Sequence, residues 1–596
     1  MKDLAYLNKF FLKYRWRFLL GIIFVSLSNY FRVLQPQMIR EALDLVVNNV
    51  SIFNLFNGFA LKEELFATLG KTLLLFGALV LVLAILMGIF MYFMRQTIIV
   101  MSRLIEYDLR KELFAHYEKL TLAFYKRNNT GDLMARITED VSKVRMYLGP
   151  AILYGINLVS LFVLVIYSML SVSVKLTIYC LAPLPFLSLS IYLVSNLIHR
   201  KSTIIQQQLA KLNSISQEVY SGIRVVKSYV QELPMIRHFD NESEDYKEKA
   251  LSLAKVDAMF FPTMVLLIGA STVITVYVGG LQVVKGAITP GNIAEFVIYV
   301  NMLTWPVTAI GWIASIVQQA SASQRRLNEF LSTKPEIDNN FSNASPLKGH
   351  IKFDNVKFIY PDTGIEALQH VDFELQPGQK MAIIGKTGSG KTTIADLLVR
   401  MYDVTQGSIL IDGKNIKDHN LANIRRRVGY VPQDIFLFSD TISKNIAFGK
   451  AGATQQEIET YAKHAAIYKD IKGLTHGFQT MVGERGVTLS GGQKQRVSIA
   501  RALIKSPDII ILDDCLSAVD TNTEKRILGY FNEALQDKTA IIITHRIYSL
   551  LQFDKIIVLD QGQIIEEGTH EALIAQKGYY FELFEKQRIE EAEADS

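Results

Sequence analysis

Six runs of apolar residues, nearly free of charge, occupy positions 18–39, 72–94, 146–174, 176–198, 258–284 and 296–324. Each is long enough to cross a hydrocarbon core of about 30 Å as an α-helix. The first half of the chain is therefore predicted to be a bundle of six membrane spans. Ahead of them, MKDLAYLNKFFLKYRWR repeats Leu4, Leu7, Phe11 and Tyr14 at helical spacing between Lys9, Lys13, Arg15 and Arg17. It lacks the small-residue cleavage site of a secretory signal and predicts an amphipathic elbow helix on the membrane surface. No glycine or proline interrupts Arg95 to Thr130. An unbroken helix of that length reaches on the order of 50 Å, so the spans are expected to continue out of the bilayer as long arms.

The pattern changes at Arg325. RRLNEFLSTKPEIDNNFSNASPLK, residues 325–348, reads as a helix end and polar linker. Beyond it IKFDNVKF, KMAIIG, GSILIDG, DIIILDD, TAIIITH and KIIVLDQGQIIEEG read as strands separated by helical segments, an α/β pattern. The expected organisation is an α-helical polytopic membrane domain over 1–324, a linker, an α/β P-loop domain over 349–585 and an acidic tail over 586–596.

Composition agrees with a membrane protein of more than one domain: 596 residues, half of them hydrophobic. A net charge of +6 is small for that length and indicates no nucleic-acid partner. Cys180 and Cys515 form neither a disulfide framework nor a metal-ligand spacing. Lysine and arginine concentrate before the first span and in the loops 95–145 and 199–257, whereas 40–71 has three. By the positive-inside rule the dense side is cytoplasmic, which puts both termini and the α/β domain inside a plasma or inner membrane. The two long loops hold polar turns, FYKRNNTGDLMARITEDV (124–141) and SISQEVYSGIRVVKSY (214–229), that are either solvated tips or docking elements. Arg32 is the one charge well inside an apolar run, a candidate cavity residue because burial in lipid is costly, unless it snorkels outward. Pro36, Pro183, Pro185 and Pro306 are expected to bend or interrupt helices.

IIGKTGSGKTT, residues 383–393, follows an apolar strand and precedes a helical segment, the context a phosphate-binding loop needs. Gly385, Gly388 and Gly390, with Lys386, Thr387, Ser389 and Thr393 around them, let backbone N–H groups curl around phosphate oxygens at a helix N-terminus. Lys391 neutralises the β and γ phosphates, and Thr392 offers its hydroxyl to Mg²⁺. A second apolar strand ends at Asp513, the partner acid for that metal.

VTLSGGQKQRVSIARAL then decides between families: Leu489, Ser490, Gly491, Gly492 and Gln493 resemble the signature of the ATP-binding cassette (ABC) superfamily. The resemblance implies that Tyr360 stacks on adenine, that Gln433 touches magnesium and the transmembrane contact, that Asp520 faces the opposite cassette and that His545 contacts the γ-phosphate. VGERGVTLSGGQ looks like the exporter version, with Glu484 and Arg485 near the coupling surface. Six spans fused ahead of one cassette are similar to a half-size exporter of the multidrug and lipid-flippase type. In that family the two polar turns carry coupling helices, and two chains sandwich each ATP between the phosphate loop of one cassette and the LSGGQ of the other.

One residue departs from the pattern. Where the family normally has a glutamate that polarises the attacking water, the chain has Asp514, shorter by a methylene group. General-base assistance is worth about 10²–10⁴-fold, so slow hydrolysis with intact ATP binding is expected. Many bacterial members pair such a chain with a glutamate-bearing partner, and the intact LSGGQ is what this chain needs to complete the partner's site, so a heterodimer is favoured over a homodimer.

The reading is ATP-driven export or flipping of a drug, lipid or peptide by alternating access, with ATP and Mg²⁺ as cofactors and membrane lipid and a second half-transporter chain as partners. An importer built on the exporter fold, a nucleotide-gated channel and an ATP-sensing membrane regulator are the alternatives.

Overall fold

A computed structural model describes residues 3–55, 61–337, 346–483, 489–515, 521–534, 537–546 and 553–594. The chain forms two compact units. One comprises Met1–Glu118 and Gly131–Thr333; the other comprises Lys119–Thr130 and Lys334–Ser596.

The first unit is helical. Its long elements are α1 (Arg15–Leu55), α2 (Leu61–Met94), α3 (Val100–Tyr117), α5 (Ile152–Val172), α6 (Val174–Leu181), α7 (Pro183–Ser221), α9 (Glu232–Val284) and α10 (Pro290–Ser332), with a short α8 (Ile223–Ser228) between α7 and α9. Among the described residues five helical stretches are long and apolar enough to span a membrane: Arg15–Val50, Lys62–Tyr117, Thr130–Val172, Glu232–Val284 and Pro290–Ser332. The fourth expected run, 176–198, is divided between α6 and α7. Ala182 separates them and Pro183 starts the second helix, because proline has no N–H to continue the ladder and is suited to a first helical turn.

The arm expected over 95–130 ends sooner. It is helical to Tyr117 through a π turn at Arg95–Ile99. Thr121 is then extended and opens a separate six-residue helix, α4 (Leu122–Arg127). Burial of Leu120 and Ala123 accounts for the break, since Ala123 belongs to the hydrophobic core of the second unit. The elbow is a 3₁₀ turn at Asp3–Leu7 followed by Asn8–Lys13, and it buries Leu4, Leu7 and Phe10 within the unit. Phe10 takes the inward position expected for Phe11 because the tighter first turn shifts the helical register. Lys9 pairs with Glu112 at 2.7 Å and Lys13 with Asp108 at 2.6 Å, tying the elbow to α3.

Polar bonds also tie the long helices together. Ser28 on α1 donates to Met87 O of α2 at 3.2 Å, and Asn29 to Asn157 O of α5 at 3.1 Å. Further along, Glu295 of α10 is fully buried. It accepts Arg40 of α1 at 3.1 Å and the Tyr299 hydroxyl at 2.9 Å.

The second unit carries two sheets. β1 (Ile351–Ile359) pairs antiparallel with β2 (Glu366–Leu375) and with β4 (Gln406–Ile411), and β5 (Lys414–Asn415) extends the edge. The other sheet has the order β10-β9-β3-β8-β7-β6, built from β3 (Lys380–Gly385), β6 (Val428–Val431), β7 (Ile509–Asp513), β8 (Thr539–Ile543), β9 (Lys555–Asp560) and β10 (Gln563–Gly568). All its pairings are parallel except β9 with β10. β3, β7 and β8 read as nearly uninterrupted isoleucine, leucine and alanine because both faces are covered.

The buried pair at Glu295 generates a prediction. Arg40→Ala leaves that carboxylate sealed with neutral donors only, a change that costs about 3 kcal/mol or more when one partner of a buried pair is removed. The thermal midpoint of the lipid-embedded chain should fall in Arg40→Ala and recover in part when Glu295→Gln is added. An unchanged midpoint in the single variant would refute the assignment.

Candidate functional site

The site begins with strand register. Ile383 of β3 and Asp513 of β7 both pair with Ile543 of β8, so three loops leave the same edge of the sheet. They are the phosphate loop after Gly385, the Asp513–Asp514 pair, and Thr544 with His545. The carboxyl edge of parallel strands is where such sheets bind ligands. Gly385 has φ +150° and a Cβ there would lie 2.1 Å from Leu559 O; Gly390 has φ +100° and a Cβ would lie 2.4 Å from Ala367 O. Gly390 caps α11 (Lys391–Leu398), whose free N–H groups face the loop.

These loops enclose a cavity of 540 Å³, lined by Thr387, Gly388, Gly390, Lys391, Thr392 and Thr393 together with Tyr360, Gln433, Asp513, Asp514 and His545. Gly385, Lys386 and Ser389 lie behind this surface. Lys386 points its ammonium at the Tyr579 ring, 5.5 Å from the centroid. The Ser389 hydroxyl is buried without a hydrogen-bond partner. Lys391 Nζ donates to Gly385 O at 2.9 Å and to Lys386 O at 2.7 Å. Burial pushes its pKa down, against the pull of Asp513 and Asp514. Phosphate oxygens arriving in the loop are stronger acceptors for that ammonium than the two carbonyls. The Tyr360 hydroxyl is 2.9 Å from Thr393 Oγ1, which fixes the ring at the other end of the cavity.

Asp513 is buried, and burial pushes its carboxyl up to about 6; neighbouring Asp396 and Asp514 add to the rise, while the Thr392 hydroxyl and Lys391 oppose it. Its Oδ2 has no hydrogen-bond partner. An orphaned carboxylate oxygen beside a threonine hydroxyl, with Gln433 on the same cavity wall, is a donor set that suits a hard divalent cation. Such an ion would supply charge neutralisation to the phosphates. Asp514 sits in the left-handed region at φ +44°, its N–H donating to Ile543 O at 2.9 Å. Aspartate tolerates that conformation better than most side chains. Burial and the Lys391 charge hold the His545 imidazole below its usual range, against the pull of Asp514. The C-terminal helix α13 (Tyr579–Ala594) supports it from behind, Gln587 Nε2 donating to His545 O at 2.5 Å.

The LSGGQ motif opens a helix, α12 (Gly491–Leu503). Ser490 is its N-cap and forms a capping box with Gln493, Leu489 is buried, and Gly491 and Gly492 are the first helical residues. None of residues 489–493 lines the cavity. Asp520, Glu484 and Arg485 lie outside the described residues. Arg32 is half-buried on α1, one turn past Ser28 and Asn29, and among the described residues makes no hydrogen bond or ion pair.

Sequence reasoning missed two residues. Asp396 on α11 is buried and accepts the Tyr430 hydroxyl at 3.3 Å. Lys126 on α4 places its ammonium 5.0 Å from the Tyr360 ring centroid. No motif links two positions so far apart in the chain.

Comparisons with known proteins agree on kinship. Residues 18–307 match the family described as ABC transporter transmembrane region, and 368–517 match the family described as ABC transporter. A probable multidrug resistance ABC transporter ATP-binding/permease protein of Bacillus subtilis is 37% identical over 590 residues, 98% of each chain. An ATP-dependent lipid A-core flippase of Pseudomonas fluorescens is 34% identical over 80% of this chain and 79% of its own. The solved structure of a bacterial Atm1-family ABC exporter with ATP bound superposes with a TM-score of 0.77 at 27% identity, covering 96% of this chain and 99% of that one.

Asp513 generates a pH prediction. Its pKa is raised in the folded state to about 6, so below that value the carboxyl is protonated, and a cation must displace the proton to bind. The gain in ATP affinity on adding magnesium should be full at pH 7.5 and fall as pH drops through about 6. In Asp513→Asn it should be small and flat across that range. Equilibrium binding with and without magnesium at pH 5.5 and 7.5 checks this.

Proposed function

The chain belongs to the ABC transporter family, and from that premise we propose that it is one half of an exporter in which two cassettes close around ATP and two helical units open outward in response. The cassette binds ATP, and hydrolysis is coupled to transport. The observation that carries the two-chain reading is the position of the signature: residues 489–493 cap a helix yet line no part of the chain's own cavity. A helix N-terminus bearing a serine and two glycines is suited to a γ-phosphate presented from outside. Asp520 is assigned to the same cassette-to-cassette contact.

The first polar turn, 124–141, is divided between the units: residues up to Thr130 group with the cassette and those from Gly131 with the helices. In the other, α8 buries none of its residues, and Tyr220, Val225, Tyr229 and Val230 around it are 61–78% exposed. We assign the first turn to the chain's own cassette and the second to the partner's.

Cargo enters from the cytoplasm or inner leaflet, with both termini cytoplasmic in a plasma or inner membrane. Relatives named for multidrug resistance and for lipid A-core flipping support an amphipathic drug, lipid or peptide. Arg32, which has no partner among the described residues, is the candidate for its polar end, since an intramembrane charge is a functional residue by default.

Asp514 is read as a weak base. Its side chain ends one methylene short, while Thr392, Asp513, Gln433 and His545 line the same cavity. The slow site then pairs with a glutamate-bearing partner chain. Steady-state ATPase activity of this chain alone in lipid, beside Asp514→Glu, tests the assignment. The expected result is similar ATP affinity and a turnover at least about tenfold higher in the glutamate variant. Wild-type turnover within a few-fold of the variant would make Asp514 a competent base and a homodimer the working unit.

A further inference from the structure

Outside the phosphate loops, one further side chain reaches the wall of the nucleotide cavity at Tyr360. The short helix α4 carries it. The helix is fixed at three points: Ala123 is fully buried in the cassette core that contains β1 and β2, Leu122 packs on that core, and Arg127 pairs with Glu336 of the linker at 2.5 Å. So anchored, α4 places Lys126 Nζ 5.0 Å from the centroid of Tyr360 and 5.5 Å from that of Tyr402. The two rings meet edge to face, 5.5 Å apart at 89°. Tyr360 lines the nucleotide cavity, whereas neither Lys126 nor Tyr402 is among its lining residues.

We propose that Lys126 is a positioning residue for the base: its ammonium holds the Tyr360 ring by a cation–π contact, so that base stacking on that ring and docking of α4 reinforce each other. The inference rests on the reading of Tyr360 as the adenine platform. Coupling of this kind is reciprocal. Whatever Lys126 contributes to nucleotide affinity, bound nucleotide returns to the docking of residues 119–130. That segment joins Glu118 to Gly131, both in the helical unit. Occupancy of the base site is thereby reported into the helices without hydrolysis.

The test uses the full chain in lipid nanodiscs. Affinities for ATP and for inorganic tripolyphosphate, which has no base, are measured for wild type, Lys126→Met, Lys126→Arg, Tyr360→Leu and the Lys126→Met/Tyr360→Leu double variant. A cation–π contact at a partly exposed site corresponds to about twofold to fivefold in affinity. Lys126→Met should weaken ATP by that factor, Lys126→Arg should bind as wild type, and tripolyphosphate should be unaffected. In the Tyr360→Leu background, loss of the lysine should have no further effect. Amide exchange over 119–130 should slow on ATP binding in wild type and less so in Lys126→Met.

ATP affinity unchanged in Lys126→Met overturns the proposal. So does an equal loss for tripolyphosphate, which would mark simple charge attraction, or an equal loss in the Tyr360→Leu background. If Tyr360→Leu itself leaves ATP affinity untouched, it is the adenine-platform reading that fails.

Discussion

The register of β3, β7 and β8 is the constraint on which the nucleotide site depends. Because Ile383 and Asp513 both stand opposite Ile543, the phosphate loop, the two aspartates and the histidine emerge side by side. A slip of one residue in any of these strands would move its loop by about 3.3 Å and turn its side chains to the other face. The isoleucine-rich strands resist this, since both faces are packed and the alternatives expose apolar surface. Conformations that would otherwise be unfavourable are held at the ends of these strands: the left-handed backbone at Asp514, the close approach of Gly385 to Leu559, and the buried, partnerless oxygen of Asp513. Strain and desolvation concentrated at one edge are what a rigid scaffold can sustain at a functional site.

The same edge is consistent with the proposed two-chain site. It supplies donors to one side of a triphosphate, through the loop N–H groups, Lys391 and the N-terminus of α11. The helix that begins at Gly491 has its own free N–H groups and a capped serine, and it contributes nothing to this cavity. On the proposed two-chain reading this is half a cage, and the signature helix is the half offered to the partner.

Most of the site was legible in the sequence because its residues are consecutive. The phosphate loop and LSGGQ are contiguous, Asp513 ends the apolar strand β7 and His545 follows the apolar strand β8 by two residues. The sheet was less so. β2, EALQHVDFEL, alternates buried and exposed positions, but half its residues are polar, and nothing local separates it from a loop. β6 is four residues long and is held by β7, which follows it by some 80 positions. The break between α6 and α7 was signalled by Pro183 and still read as one span, because apolar composition continues across it. The early end of the arm at Tyr117 carries no breaker at all; burial of Leu120 and Ala123 decides it. Lys126 beside Tyr360 was out of reach for the same reason, since the contact exists only through tertiary packing.

The left-handed backbone at Asp514 sets chemistry against folding within a single residue. A longer acid reaches further into the cavity but brings a side chain less at ease at positive φ, whereas aspartate can satisfy the backbone and gives up reach. On the proposed heterodimer reading, reach matters less at a site whose own turnover does not limit the pair, and the shorter acid costs little there. Under the same proposal, the missing methylene marks the one of two unequal sites that is free to be slow.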